Sequence, residues 1–331
     1  MDHTTDISRE AKVCITRNVK GSWKEMLSDA GVRVVCPDDD GGDRAWSRQE
    51  FLTCIQGCHG VGCMLSERWD AEAFDAAGEQ LRVVANYAVG YNNIDLEEAR
   101  SRGVWVTNTP DVLTDATADV AWALLMAAAR CTGSAERSLR AGEFHGWEPN
   151  GFLGVDLVGR TLGIIGAGRI GTATARRARG WDMQVVYAHH RSKPEFEQAT
   201  GGRRVDLDSL LAESDFISLH VPLTPETRHM IGAREFGLMK PTAVLVNTAR
   251  GPVVDEAALV EALRSGQIFA AGLDVYEDEP RMADGLVGLE NAVLLPHIGS
   301  ATEHTRAVMG ELMATNILAA LRGQEPPNKI S

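Results

Sequence analysis

Apolar residues in the first third of the chain fall into short runs separated by stretches with helical spacing. Residues 12–16, 33–36, 61–65, 82–86 and 104–106 are brief and rich in Val, Ile or Cys, and they predict strands. Residues 22–29, 48–56, 70–77 and 96–101 lie between them and predict helices. Repeated strand–helix units imply a parallel sheet covered by helices. Thr109-Pro110-Asp111 breaks the series, and residues 111–130 predict a long Ala-rich helix with Asp and Thr in its first turns, where capping favours them. Residues 142–154, which hold Trp147 and Pro149, read as irregular.

A second series starts at Thr161. Residues 161–165, 184–187, 216–219, 243–247, 270–274 and 293–295 predict strands, and residues 170–180, 208–212, 256–265 and 303–321 predict helices. The expected fold class is α/β, with two doubly wound parallel-sheet domains and a ligand where the C-terminal strand ends face one cleft. The pattern alone assigns the last helix to neither domain. The Pro-containing segment 323–331 reads as a loose terminus or a short extension.

A chain of 331 residues is long enough for two such domains. Its net charge of −13 argues against nucleic acid or an anionic membrane as partner, since both need a basic surface, but it leaves room for a local basic pocket around a small anion. The longest apolar stretch, residues 120–129, is about half of a bilayer span. No charged-then-apolar segment opens the sequence. Cys54, Cys58 and Cys63, with His59 among them, match no zinc spacing. No metal is therefore expected, and reduced, mostly buried thiols fit a cytoplasmic location.

The chemistry begins at Gly163–Gly171, reading GIIGAGRIG. Gly166 permits a tight turn, Gly168 lets backbone approach a pyrophosphate, and Gly171 lets the helix pack on the strand. The following helix N-terminus offers free N–H groups and partial positive charge to phosphates. Three later segments place polar residues just beyond apolar strands: 246–251, 274–280 and 296–302. They contain Arg250, Glu279 and His297. Reduction of a 2-keto acid needs a cation for the carboxylate, and arginine binds it in a bidentate way. It needs a proton donor for the oxygen that becomes an alkoxide, and histidine suits that task. A carboxylate on the other imidazole nitrogen would orient the ring and favour its charged form. Arg250, His297 and Glu279 supply these roles without a metal or a covalent nucleophile.

Read together, these residues resemble the D-isomer-specific 2-hydroxyacid dehydrogenases over nearly the whole chain, from about residue 12 to residue 322. The blocks that carry the likeness are residues 86–95, 109–114, the GAGRIG turn, 247–251, 272–280 and 296–302. Residues 89–95, 151–154, 250–260 and 295–302 place the likeness nearest the hydroxypyruvate and glyoxylate reductase branch. The resemblance implies a discontinuous, flavodoxin-like substrate domain (1–112 plus 296–331) around a Rossmann NAD(P)-binding domain (113–295). It implies that Arg250, Glu279 and His297 are catalytic. Coenzyme would be held by Gly166, Gly168, Arg169, Ile170, Gly171, Val221, Pro222, Thr227, Thr248, Ala249, Asp274 and Gly299. Substrate would meet Leu65, the Ala88, Val89 and Gly90 loop, and Ser300, as well as Arg250 and His297. The resemblance also implies a homodimer joined through the coenzyme domains. Trp147 would either enter the partner's site or pack in the interface.

Enzymes of this fold that use NAD place an acid about twenty residues beyond the glycines, on the adenosine ribose. Here the strand end reads Val186-Tyr187-Ala188-His189-His190-Arg191-Ser192, without a carboxylate. An acid there would repel a 2′-phosphate, whereas His189, His190, Arg191 and Ser192 offer donors to it. NADP(H) is therefore expected to be preferred, with NAD(H) as a second coenzyme. The expected reactions are hydroxypyruvate to D-glycerate and glyoxylate to glycolate. Phosphoglycerate, 2-ketogluconate and phosphite dehydrogenases share the Arg–Glu–His set and remain as alternatives, as does a coenzyme-sensing corepressor without catalysis.

Overall fold

Strands that are buried on both faces must be covered on both faces, and this rule organises each half of the structure. The computed structural model describes residue 7, residues 10–36 and residues 44–331. Two units separate: Met1–Leu113 with Ser300–Ser331, and Thr114–Gly299.

The first unit alternates β1 (Lys12–Ile15), α1 (Trp23–Asp29), β2 (Arg33–Val35), α2 (Arg48–Cys54), β3 (Gly60–Cys63), α3 (Ala71–Ala77), β4 (Val83–Asn86), α4 (Leu96–Ser101) and β5 (Trp105–Thr107). All pairings are parallel, in the order β2-β1-β3-β4-β5 of flavodoxin-like sheets. Local signals set the helix starts: Ser47 and Glu50 form a capping box, and Asp70 and Asp95 cap α3 and α4. Phe51, Trp69 and Phe74 fill one face of the sheet. Trp23 and Leu27 fill the other, together with Met313 and Ile317 of the helix Glu303–Leu321. That helix presses closely on β3, since a Cβ at Gly62 would lie 2.5 Å from Met313 Sδ.

The tail is not a loose end. The Ile330 N–H donates to Val106 O at 2.7 Å and the Val106 N–H donates to Ser331 O at 3.1 Å, so the segment lies along β5. Its polar, Pro-containing composition hid this edge pairing.

The second unit contains α5 (Thr114–Ala129), α6 (Thr132–Arg140), β6 (Thr161–Ile165), α7 (Arg169–Arg177), β7 (Gln184–Ala188), α8 (Pro194–Thr200), β8 (Arg203–Arg204), α9 (Leu207–Glu213), β9 (Phe216–Leu219), α10 (Ala233–Leu238), β10 (Val244–Asn247), α11 (Glu256–Arg264), β11 (Ala270–Leu273) and β12 (Ala292–Leu294). Its parallel sheet runs β12-β11-β10-β9-β6-β7-β8. The order reverses between β6 and β9, the place where doubly wound sheets bind their ligands. One face is packed by α5, whose Leu124 would meet any Cβ at Gly272 of β11 at 2.8 Å. The predicted long helix starts later than expected because Asp111 has φ +70°, and it stops at Cys131, which has φ +52°. The next helix, α6, is not predicted by the apolar pattern, because Leu139 is its one large apolar residue; none of its residues is buried. The sequence reading also missed α8, α10 and the short β8. Among the described residues no helix is long and apolar enough to cross a membrane.

Candidate active site

At Gly166 and Gly171 a side chain would clash with backbone. Gly166 has φ +102°, and a Cβ there would lie 2.7 Å from the His220 carbonyl at the end of β9. A Cβ at Gly171 would come within 2.2 Å of Gly166 O. Gly168 is different: it precedes α7 with extended backbone, and a Cβ there would meet nothing within 4 Å. The missing side chain leaves open space beside the first N–H groups of α7, where Arg169 and Ile170 begin the helix. The buried Thr248 Oγ1, just beyond β10 of the same unit, has no hydrogen-bond partner among the described residues. The donors and the space fit a dinucleotide pyrophosphate.

Arg250, Glu279 and His297 follow β10, β11 and β12, neighbouring strands of one sheet. Asn247 folds the first of these loops: its Oδ1 accepts the Ala249 N–H at 3.0 Å and its Nδ2 donates to Arg250 O at 3.0 Å. Gly251 then runs so close to the second loop that a Cβ would lie 1.8 Å from the Tyr276 carbonyl. This contact locks the Arg250 segment to the segment that carries Glu279. Glu279 Oε1 accepts the Tyr276 N–H at 3.0 Å, and Oε2 lies 2.9 Å from His297 Nδ1. Burial pulls the Arg250 guanidinium below its ordinary value, with Glu279 opposing that shift. Burial would push the Glu279 carboxyl up, but the hydrogen bond and charge of His297, the Tyr276 N–H and Arg250 together hold it below the usual range.

His297 itself has φ +55°, an uncommon conformation for a residue with a side chain. The turn behind it is fixed by buried Asp274, whose two carboxylate oxygens accept the Ile298 N–H at 2.7 Å and the Gly299 N–H at 2.8 Å. Burial raises the Asp274 carboxyl despite these donors. Asp274, expected from the sequence as a coenzyme contact, braces this turn as well. The sequence reading missed Asn247, although an Asn two residues before Ala249 is an Asx-turn signal.

Thr227 Oγ1 donates to Pro222 O at 2.7 Å and closes the turn after Val221. His189, His190, Arg191 and Ser192 form the loop after β7, and the His189 and His190 rings lie 4.0 Å apart. That loop does meet an acid: Glu197 of α8 accepts from Tyr187 OH at 2.5 Å and from Ser192 Oγ at 3.1 Å. No sequence signal pointed to it, because α8 itself was not predicted.

In the first unit, the carbonyls of Ala88, Val89 and Gly90 accept from the Thr109 N–H, Asn108 Nδ2 and Asn86 Nδ2. Their N–H groups find no acceptor among the described residues, so the loop presents donors only. Leu65 lies just after β3, and Glu67 anchors that turn by accepting from Thr16 Oγ1 at 2.8 Å and pairing with Arg17 at 2.9 Å. Ser300 follows Gly299 and is half-buried. Trp147, in the segment between α6 and β6, is 85% exposed.

Residues 122–299 match the family model for the D-isomer specific 2-hydroxyacid dehydrogenase, NAD binding domain. The chain is 51% identical to a glyoxylate reductase of Thermococcus onnurineus over 324 residues, covering 97% of this chain and 96% of that protein. It resembles a solved protein from Thermus thermophilus with a TM-score of 0.89 at 43% identity, covering 97% of this chain and all of that one. An NADPH-dependent glyoxylate/hydroxypyruvate reductase from Sinorhizobium meliloti, solved with NADP and malonate, superposes with a TM-score of 0.83 at 31% identity and covers 97% of both chains.

Proposed function

Because the chain belongs to the D-isomer-specific 2-hydroxyacid dehydrogenases, we propose that it reduces glyoxylate to glycolate and hydroxypyruvate to D-glycerate, with NADPH preferred over NADH. It is an oxidoreductase of the glyoxylate reductase branch and carries a nicotinamide-dinucleotide-binding domain. The finer reading rests above all on one arrangement: Arg250 stands beside an imidazole–carboxylate pair in the unit that bears the glycine turn.

When bound, the reduced nicotinamide supplies hydride to the carbonyl carbon. Arg250 binds the substrate carboxylate and draws electron density toward the keto oxygen. His297 donates a proton from Nε2 to that oxygen as it gains the electron pair of the C=O bond, leaving a hydroxyl. Glu279 engages Nδ1, fixes the ring's orientation and supports its positive charge. The donor-only loop at Ala88, Val89 and Gly90 suits a carboxylate, and its role in substrate binding, with Leu65 and Ser300, is part of the proposal. So is the assignment of coenzyme binding to Gly166, Gly168, Arg169, Ile170, Gly171, Val221, Pro222, Thr227, Thr248, Ala249, Asp274 and Gly299. The loop His189, His190, Arg191 and Ser192 would receive the adenosine 2′-phosphate. A cytoplasmic homodimer completes the proposal.

The test is turnover of both keto acids with both coenzymes. NADPH should give the higher kcat/KM, and Arg191→Ala should weaken NADPH more than NADH. A clear NADH preference would refute the coenzyme assignment. Near-normal activity of Arg250→Ala would refute the site assignment. No turnover with either acid would favour a coenzyme sensor.

A further inference from the structure

Strand β8 is only Arg203–Arg204, at the edge of the sheet, with Arg204 in register with Tyr187 of β7. The two arginines have different surroundings. Arg203 pairs with Glu213 at 2.7 Å. Arg204 has no carboxylate partner among the described residues. Instead its Nε donates to His189 O at 3.0 Å and its Nη2 to His190 O at 3.3 Å. These carbonyls open the loop at the C-terminal end of β7, and a guanidinium with five N–H groups keeps donors to spare after making both bonds.

Arg191 and Lys193 on the same loop also lack a carboxylate partner among the described residues. The nearby acid, Glu197, is engaged by Tyr187 and Ser192. Burial, and then the charges of His190, Lys193 and Arg191, hold the His189 imidazole below its ordinary value. In a chain of net charge −13, three cations without a direct ion pair among the described residues sit around one strand end, against the single carboxylate of Glu197. Like charges left together repel unless an anion joins them. In a doubly wound sheet this strand end is where the adenosine ribose sits.

We infer that Arg204 is a second residue selecting for the 2′-phosphorylated coenzyme. It brings charge and spare N–H donors to the 2′-phosphate from the sheet edge, while Arg191 does so from the loop. Its bonds to the His189 and His190 carbonyls set the guanidinium against that loop. This rests on the NADPH reading above and adds a residue to it.

The experiment compares wild type, Arg204→Gln and Arg204→Lys in kcat/KM for NADPH and NADH, and in the Kd of 2′,5′-ADP and of ADP by calorimetry. Arg204 is exposed, so thermal midpoints should not move. Arg204→Gln should lose about tenfold toward NADPH and 2′,5′-ADP, the worth of one charge-assisted hydrogen bond, with little change toward NADH and ADP. Arg204→Lys should recover part of the loss, since it keeps the charge without the fork. Equal losses toward all four ligands, or no loss, would overturn the inference. If the wild type prefers NADH but Arg204→Gln still weakens only the 2′-phosphorylated ligands, the coenzyme reading fails and Arg204 stands. If the wild type prefers NADPH and Arg204→Gln is not selective, Arg204 fails alone.

Discussion

His297 projects from backbone at φ +55°, and its Nδ1 lies 2.9 Å from Glu279 Oε2. A residue with a Cβ stays in the left-handed region only when its surroundings over-determine it, and Asp274 does so by taking the next two N–H groups. Asn tolerates positive φ, so His297→Asn should fold with an unchanged melting temperature. Loss of a general acid should lower kcat by about two to four orders of magnitude. Steady-state rates beside a thermal melt check both halves, and a near-normal kcat would remove His297 from the chemistry.

Replacing Glu279 with Gln takes away the charge that favours a protonated imidazole. Reduction consumes the proton that His297 delivers. In Glu279→Gln kcat should therefore drop about tenfold or more. The carboxyl itself lies below its ordinary value in the folded protein. Its stabilising contribution is therefore complete above the ordinary carboxylate range and is lost as pH falls through the lowered value. Chemical denaturation across that acid window should show a shallower loss in Glu279→Gln than in wild type. An unchanged kcat would mean that the carboxylate does not act through the imidazole.

These residues were legible in the sequence because each terminates a run that is apolar on both faces, and such runs read clearly as parallel strands. The glycine turn was legible for the same reason, since its spacing follows β6 directly. What the sequence could not display were contacts made across long separations by residues with no local signature. Asp274 bonds N–H groups beyond His297, and Glu197 reaches Ser192 from a helix with little apolar patterning. The tail offered no strand-like alternation, yet it pairs with β5.

The glycine turn allows a paired test. Gly166→Ala combines φ +102° with a Cβ 2.7 Å from the His220 carbonyl. It should cost about 2 kcal/mol or more and lower the melting temperature by several degrees. Gly168→Ala meets open space with extended backbone and should melt with the wild type. Its methyl group would nevertheless occupy the gap at the start of α7, so the coenzyme Kd should rise about tenfold or more. Coenzyme titration by fluorescence beside a thermal melt separates the two effects. Normal coenzyme affinity in Gly168→Ala would remove the pyrophosphate from this turn.

The last prediction concerns the surface between α6 and β6. Helix α6 buries none of its residues, and Phe144, Trp147, Phe152 and Leu153 follow it largely exposed. Apolar side chains gathered in one segment favour a partner surface over water. Light scattering should therefore find a homodimer, and Phe144→Asp with Leu153→Asp should release monomers. Trp147→Ala then separates two roles for the indole. If Trp147 packs between subunits, the variant should dissociate more readily and keep its KM at concentrations where it is dimeric. If it reaches the partner's substrate, the dimer should persist while the KM for the keto acid rises severalfold. A wild-type protein that is monomeric at micromolar concentration would exclude both roles.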